Sequence, residues 1–436
     1  MRVASRLVTQ RVGLILRAGL GCVIAALVSA ARAGQPCADA PAPAMPGMSE
    51  IGMLGLYGPY DMAREASGTS WQPDSTPLDG LMSMSGPWMG MIHGFIDAIY
   101  DDQGGRRGAV QSFSVSMLML MARRQLTDGA LGLRVMLSGD PLMGREGYPL
   151  IFQTGETANG VVPLIDRQHP HDLLMEAAGS YSYDLSQHSS VFVYAGLPGE
   201  PALGPTAFMH RLSGMDDPEA PLTHHWLDST HVSWGVVTAG YSIGMVKLEA
   251  SAFNGHEPDQ NHYDIEPGPL ESWATRLTFN PSRDCSLQAS TGHLVAPEQL
   301  EPNINVQRTT ASATCNVPLG LSWQSTLAWG HNNPSSGASS SGWLLESELR
   351  LTLAHTLFAR VERVGKDDLF LPGTPLYGRL FTIEKLSVGY IHDFVHWNAL
   401  NLGVGGLVST YSFPGTLNTS YGYRPTSFMV FARARL

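Results

Sequence analysis

The chain has 436 residues, 15% of them charged, with 27 Lys and Arg against 38 Asp and Glu and a formal net charge of −11. That acidic balance excludes a nucleic-acid partner, which needs a basic face. Beyond residue 33 no stretch is long and apolar enough for a membrane helix.

Residues 1–33 carry Arg2, Arg6, Arg11 and Arg17, then an apolar run from Leu20 to Val28, then Ala31-Arg32-Ala33. This is the order of a secretory signal, expected to be cut near Ala33; the apolar run is too short for a membrane anchor, and Cys22 is not read as lipidated. Cleavage removes five Arg and no acid, leaving 22 basic residues against 38 acidic ones, a charge of −16. Cys37, Cys285 and Cys315 remain in a compartment that permits disulfides, and an odd count leaves one over. Residues 34–87 are rich in Met, Pro, Gly and Ser with little periodicity, and read as a mobile periplasmic arm. Its methionines include Met45, Met48, Met53, Met62, Met82 and Met84.

From Trp88 the texture changes to runs of about ten residues with period-two alternation. In LSWQSTLAW, Leu321, Trp323, Ser325, Leu327 and Trp329 share one face, and Ser322, Gln324, Thr326 and Ala328 the other. Strands are expected at 88–100, 109–124, 130–138, 173–185, 190–197, 229–241, 244–255, 271–281, 285–295, 307–317, 321–331, 343–353, 356–365, 381–392, 397–410 and 425–436. Their connections alternate short and long, with 139–172, 198–228 and 256–270 among the long ones. Short turns on one side and long loops on the other give an all-β class: a transmembrane antiparallel β-barrel of about 16 strands, 14 to 18 within boundary error, spanning 88–436. A soluble sandwich or propeller is the competing all-β fold. No blade-length repeat supports it, and Trp88, Trp273, Trp329, Trp343 and Trp397 fall near strand ends, as a lipid-interface girdle requires. The last strand resembles the terminal strand of outer-membrane proteins, although it ends in Leu436 instead of an aromatic residue.

In the first strand, Met89, Met91, His93 and Asp97 fall on one face; in the second, Met117, Met119 and Met121 do. Pairing as a hairpin about residue 105 sets 89 against 121, 91 against 119 and 93 against 117, and Met136 beside Arg134 extends the row. Thioether sulfur with imidazole is a soft donor set for a copper or silver ion; the bland alternative is methionine as flexible packing. A second set lies in the long loops. The stretch PLIDRQHPHDLLME packs Asp166, Arg167, His169, His171 and Asp172 into seven residues at the end of one loop. The next holds His210, Asp216, Asp217, His224, His225, Asp228 and His231, and the one after it His256, Glu257, Asp259, His262 and Asp264. Folded inward, these make a constriction of imidazole and carboxylate; a metal-free network of salt bridges and hydrogen bonds satisfies the same composition. The candidate metal residues are therefore Met89, Met91, His93, Met117, Met119, Met121, His169, His171, Asp172, His224 and His225.

Lys247, Glu249, Arg276, Glu346, Glu348, Arg350, Arg360 and Glu362 are expected to face a polar lumen, open or plugged. Cys285 and Cys315 stand opposite each other across a loop centred near 300, where a cross-strand disulfide is possible. Cys37 is left as a free thiol in the arm. A lipid hydrolase would need a Ser and His pair, for which His231 with Ser233 or His188 with Ser190 offer only parity, and no Gly-x-Ser-x-Gly elbow occurs. The expectation is a non-enzyme.

The segments REASGTSWQPDSTP, MIHGFIDAIYDDQGG, PLIDRQHPHDLLME, VYAGLPGEPALGPTAFMHR and THHWLDSTH resemble a family of Gram-negative outer-membrane β-barrel proteins. That family has no assigned activity and is met in copper and heavy-metal resistance gene neighbourhoods. The resemblance covers nearly all of the mature chain. It implies outer-membrane lipid as surroundings and periplasmic metal-handling proteins as partners. One departure is that the arm is Met-rich but has no His before His93, unlike the His- and Met-rich leader of better-known copper-resistance outer-membrane proteins.

Overall fold

The computed structural model describes residues 53–397 and 399–436. The signal segment, the first part of the arm with Met45 and Met48, and Cys37 lie outside the described residues. Sixteen antiparallel strands form the wall: Trp88–Asp102, Val110–Leu126, Gly129–Leu137, Leu174–Ser186, Ser189–Gly196, Val236–Ile243, Val246–Phe253, Ser272–Ser282, Cys285–Leu294, Val306–Val317, Ser322–Pro334, Ser340–Thr352, His355–Lys366, Phe381–Trp397, Leu400–Ser412 and Thr426–Arg435. Each pairs with its neighbour, and the last returns to the first, from Phe428 opposite Asp102 to Arg435 opposite Phe95. The sheet is a closed barrel.

The alternation read from sequence is the reason for closure. Along Val246–Phe253, Lys247, Glu249 and Ser251 are buried while Leu248, Ala250 and Ala252 are exposed. The outer wall repeats this with exposed Val193, Leu277, Val388, Val408 and Val430, and Trp273, Trp343 and Trp397 also face outward. An apolar belt around a barrel whose backbone groups are all paired between strands is what a bilayer tolerates. Cys285 and Cys315 are opposite in register and bonded, with Cα atoms 4.2 Å apart.

Four features differ from the sequence reading. The sixth strand begins at Val236, seven residues later than expected, because 229–235 turns into the lumen with the loop before it. The first hairpin pairs Met91 with Met121, His93 with Met119 and Phe95 with Met117, a register two residues from the expected one; an even shift keeps every side chain on its face. A hairpin within one long loop, Tyr148–Thr157 with Pro163–Gln168, lies largely buried and leads directly into His169–Asp172 of the DRQHPHD stretch. The described part of the arm does not trail from the barrel. Leu81–Ser85 pairs with the foot of the first strand, and residues 62–72 are almost all buried.

The inward wall charges explain the plug. Residues 64–79 run around the lumen, meeting one wall residue after another: Lys247 donates to Thr69 O, Arg276 Nη2 lies 3.0 Å from Thr69 Oγ1, Asn280 Nδ2 2.9 Å from Gln72 O, and Gln324 Nε2 2.9 Å from Thr76 Oγ1. Arg350 and Arg435 then hold Asp79 at 2.7 and 2.6 Å. The loop 197–235 fills the rest. Arg211 meets Asp228 at 2.7 Å and Glu346 at 2.5 Å, Asp217 meets Arg360 at 3.1 Å, and Glu219 meets Lys385 at 2.7 Å. Replacing Arg360 by Met strands Asp217 without its cation and leaves Glu346 to Arg211 alone, which costs about 3–5 kcal/mol locally. Limited proteolysis should then cut within 197–235, with the barrel still migrating as a folded band in unheated SDS gels. An uncut loop would contradict this account of what holds it.

Candidate functional site

The first three strands bring the methionine faces together because each contributes alternate residues to the lumen. Met117, Met119, Met136, Met175 and Met209 form one buried cluster, with Met121 packed against it. A cavity of about 100 Å³ lies between this wall and the plug, lined among others by Met62, Met91, His93, Met117, Met119 and Met121. Met89 does not line it; it stands opposite Arg123 at the foot of the strand. The His93 Nε2 atom is 3.2 Å from Met119 Sδ, His210 Nε2 is 3.2 Å from Met136 Sδ, and the two rings are 5.7 Å apart. Glu65 also lines the cavity. One of its oxygens accepts from Tyr57 N and Tyr60 Oη, the other has no hydrogen-bond partner, and no cation pairs with it among the described residues.

Above this chamber the loop histidines converge. His169, His171, His231, His224 and His225 form a closed circuit, with successive ring centroids 6.3, 5.2, 5.1, 5.5 and 6.0 Å apart. Their Nδ1 atoms point outward to acceptors: His169 to Glu156 at 3.1 Å, His171 to Asp140 at 2.8 Å, His224 to Asp228 at 2.8 Å, and His231 to the Asp228 carbonyl at 2.8 Å. Behind the circuit, His262 faces Asp172 at 3.0 Å, and Trp234 donates to the same carboxylate at 3.1 Å. A carboxylate or carbonyl only accepts, so in a neutral ring Nδ1 carries the proton and Nε2 presents a lone pair. The Nε2 atoms of His169, His171, His225, His231 and His262 are buried without a hydrogen-bond partner among the described residues. Acceptor-held Nδ1 with free Nε2 is the orientation that outer-sphere groups impose on metal-binding histidines. The four outward-held rings bring no three donor atoms within 4.8 Å of one another; the group around His225 that does so comprises His225, Glu257 and Glu298.

Burial holds the His169 imidazole well below its ordinary range, with the neighbouring His225 and His171 adding to the shift, and holds His231 down at about 3. His225 is opposite. Burial disfavours its charge, but Glu257 and Glu298 beside it raise it to about 10. Glu156 reaches this cluster from a left-handed backbone at φ 55°, a conformation a non-glycine residue adopts at a cost of about 1–3 kcal/mol.

Two further cavities lie between the regions. One of about 40 Å³ shares Phe95, Met117 and Met215 with the methionine chamber and His169 and His171 with the next; that one, about 20 Å³, is lined by Glu156, His169, His171, Asp172, His224, His231 and Glu257. Each is large enough for a water or an ion, which needs roughly 10–15 Å³. None of these three approaches the roughly 300–1,000 Å³ of an organic-ligand pocket; a hollow of about 400 Å³ that shares Phe95 and Met117 with the chamber lies among the exposed Ile96, Leu118 and Leu173. A hollow of about 690 Å³ lies among the outer loops and shares no lining residue with the series.

Of the sequence candidates, Met91, His93, Met117, Met119 and Met121 meet in one chamber and His169, His171, Asp172, His224 and His225 in one cluster. His231, Glu156, Glu298, His210 and Glu65 were not among the candidates. His231 had a signal, since His224, Asp228 and His231 stand at i, i+4 and i+7, one face of a helix. Glu156 and Glu298 had none, being contributed by distant loops. The Ser and His pairs do not form: Ser233 donates to Thr230 O at 3.0 Å, and Ser190 to Tyr57 O at 2.5 Å.

No protein-family model and no curated protein sequence matches the chain. Solved outer-membrane barrels do. The outer membrane channel DcaP of Acinetobacter baumannii is 12% identical, covering 82% of this chain and 100% of its own, with a TM-score of 0.49. An anion-selective porin from Comamonas acidovorans is 11% identical over 80% and 100%, TM-score 0.47. Salmonella typhi OmpF in complex with daunomycin is 8% identical over 82% and 100%, TM-score 0.49. Likeness at this level carries nothing about residues or solute, and no copper-resistance link comes with it.

An imidazole released from the cluster takes up a proton near pH 6.5, whereas buried His231 does so only near 3. Between these values the open state binds more protons, so the closed cluster loses stability as pH falls. Amide exchange at 169–171 and 224–231, corrected for intrinsic rate, should rise from pH 6.5 to pH 4 while wall strands stay protected. Constant protection in the loops would contradict the neutral-imidazole assignment.

Proposed function

We propose that this is an outer-membrane barrel that binds a metal ion of soft to borderline character, copper- or silver-like, and hands it along the inside of its wall. The observation that carries the reading is the circuit of buried imidazoles, in which His169, His171 and His231 have acceptor-held Nδ1 atoms and unpartnered Nε2 atoms. Cavity size supports an ion over a larger solute, because the lumen is packed by the plug and the 197–235 loop. The thioether and imidazole donors of the methionine chamber fit Cu(I) or Ag(I). The chamber adjoins the plug at the short-turn end, where periplasmic metal-handling proteins would meet the ion.

A second reading, a structural barrel closed by its own chain, is favoured by the packing of the methionines as one apolar cluster. Silver binding separates the two. Replacing Met91 and Met119 by Leu conserves volume at under about 1.5 kcal/mol each. Equilibrium dialysis of the purified, detergent-folded chain should show saturable Ag(I) binding, weakened at least tenfold in the double Leu variant. Planar bilayers should show no steady porin-like conductance. Ag(I) uptake no greater than that of heat-denatured protein would leave the structural reading standing.

A further inference from the structure

We infer that the outer end of this path carries a separate site for a divalent cation of borderline hardness, built by His225, Glu257 and Glu298. The inference deepens the metal-binding reading and rests on it for the site's role as the place where an ion first docks.

The donors come from three loops and converge without bonding well to one another. The His225 Nδ1 atom is 3.4 Å from Glu257 Oε1 and 3.6 Å from Glu298 Oε1, and the three donor atoms lie within 4.8 Å of each other. An imidazolium paired with a carboxylate settles at about 2.7–2.9 Å. These separations are longer. They match the edge of a tetrahedron of ligands around an ion bound at 2.0–2.2 Å, which is about 3.3–3.6 Å. Both oxygens of Glu257 are buried without a hydrogen-bond partner, although the side chain is only 6% exposed.

Charge and access agree with the geometry. Two carboxylates, Glu257 and Glu298, face the one imidazole, while Glu156, which lines the same cavity as Glu257, pairs with His169 and is pushed toward its neutral form by burial and by those two neighbours. No Lys or Arg forms an ion pair with any of them among the described residues; Arg308 nearby is held by Asn332 and Ser229. Glu298 is about a third exposed, which opens the site to the loop surface. The His225 ring is held from below: a Cβ on Gly155, whose φ is 119°, would stand 2.5 Å from its Cε1, so only glycine admits the ring there. One nitrogen and two carboxylates suit Zn(II) or Cu(II). They offer too few oxygens for Ca(II) and no sulfur for Ag(I).

Isothermal titration of the full detergent-folded chain with Zn(II) tests this, with Ag(I) dialysis run in parallel. One saturable Zn(II) is expected, together with a Co(II) absorption of tetrahedral intensity. The E257Q/E298Q double variant should weaken Zn(II) at least tenfold and leave Ag(I) unchanged. Should the double variant lose its folded gel band, E298Q alone, at a part-exposed position, should still weaken Zn(II). Wild-type protein that binds Ag(I) but not Zn(II) overturns this site and spares the methionine chamber. Failure to bind either overturns both. Equal Zn(II) affinity in wild type and variants also overturns it, since the ion would then sit elsewhere.

Discussion

The structure depends on how the inward face of the wall is satisfied. A barrel in lipid has no freedom on its outer face, which must be apolar, so every charge the chain carries into the membrane points into the lumen. There it meets either water or protein. Here it meets protein: Lys247, Glu249, Arg276, Glu346, Arg360, Glu362 and Lys385 are all buried, and most pair with groups on the plug or on the 197–235 loop. Such pairs add little net stability over hydration, but removing one partner leaves an uncompensated buried ion. They therefore act mainly as registration. Glu219 fits where Lys385, Ser387 and Ser409 converge on its carboxylate, and a loop shifted by a few ångström would strand all four.

That packing divides the interior. Charged pairs dominate beside the strands from Val246 to Lys366, while the face made by Trp88–Asp102, Val110–Leu126 and Gly129–Leu137 carries the thioethers and imidazole, beside Asp97, Asp101 and the Arg134–Glu176 pair. Small cavities survive along this second face because methionine is long, flexible and unbranched, and fills space without fixing it. The small neighbouring hollows thus lie where the soft donors are.

Much of this was legible in the chain. Strand positions, the closed antiparallel order, the inward charges and the Cys285–Cys315 pair all follow from period two and turn spacing, which are local properties. The methionine face was legible for the same reason, and survived a two-residue register error because parity is unaffected. What lay beyond reach was nonlocal. Whether residues 53–80 trail or thread the lumen depends on Lys247, Arg276 and Arg350, hundreds of residues away, offering partners to otherwise unpatterned Gly, Ser and Thr. The convergence of His225, Glu257 and Glu298 likewise joins three loops that share no motif.

On the proposed reading, charge bookkeeping along the path sorts ions by valence as well as softness. The work of charging an ion in a medium of low polarity grows with the square of its charge, so a divalent cation costs about four times as much to bury as a monovalent one. It can be held only where fixed negative charge offsets that cost, as at the outer cluster, where Glu257 and Glu298 face one imidazole and pair with no Lys or Arg among the described residues. The inner chamber offers much less. Asp79 there is already neutralised by Arg350 and Arg435, leaving the free oxygen of Glu65 as its one uncompensated acidic donor. A single negative charge among thioethers matches a single positive one, so the chamber favours Ag(I) or Cu(I) over Zn(II) twice over: by the softness of its donors and by the charge it can balance.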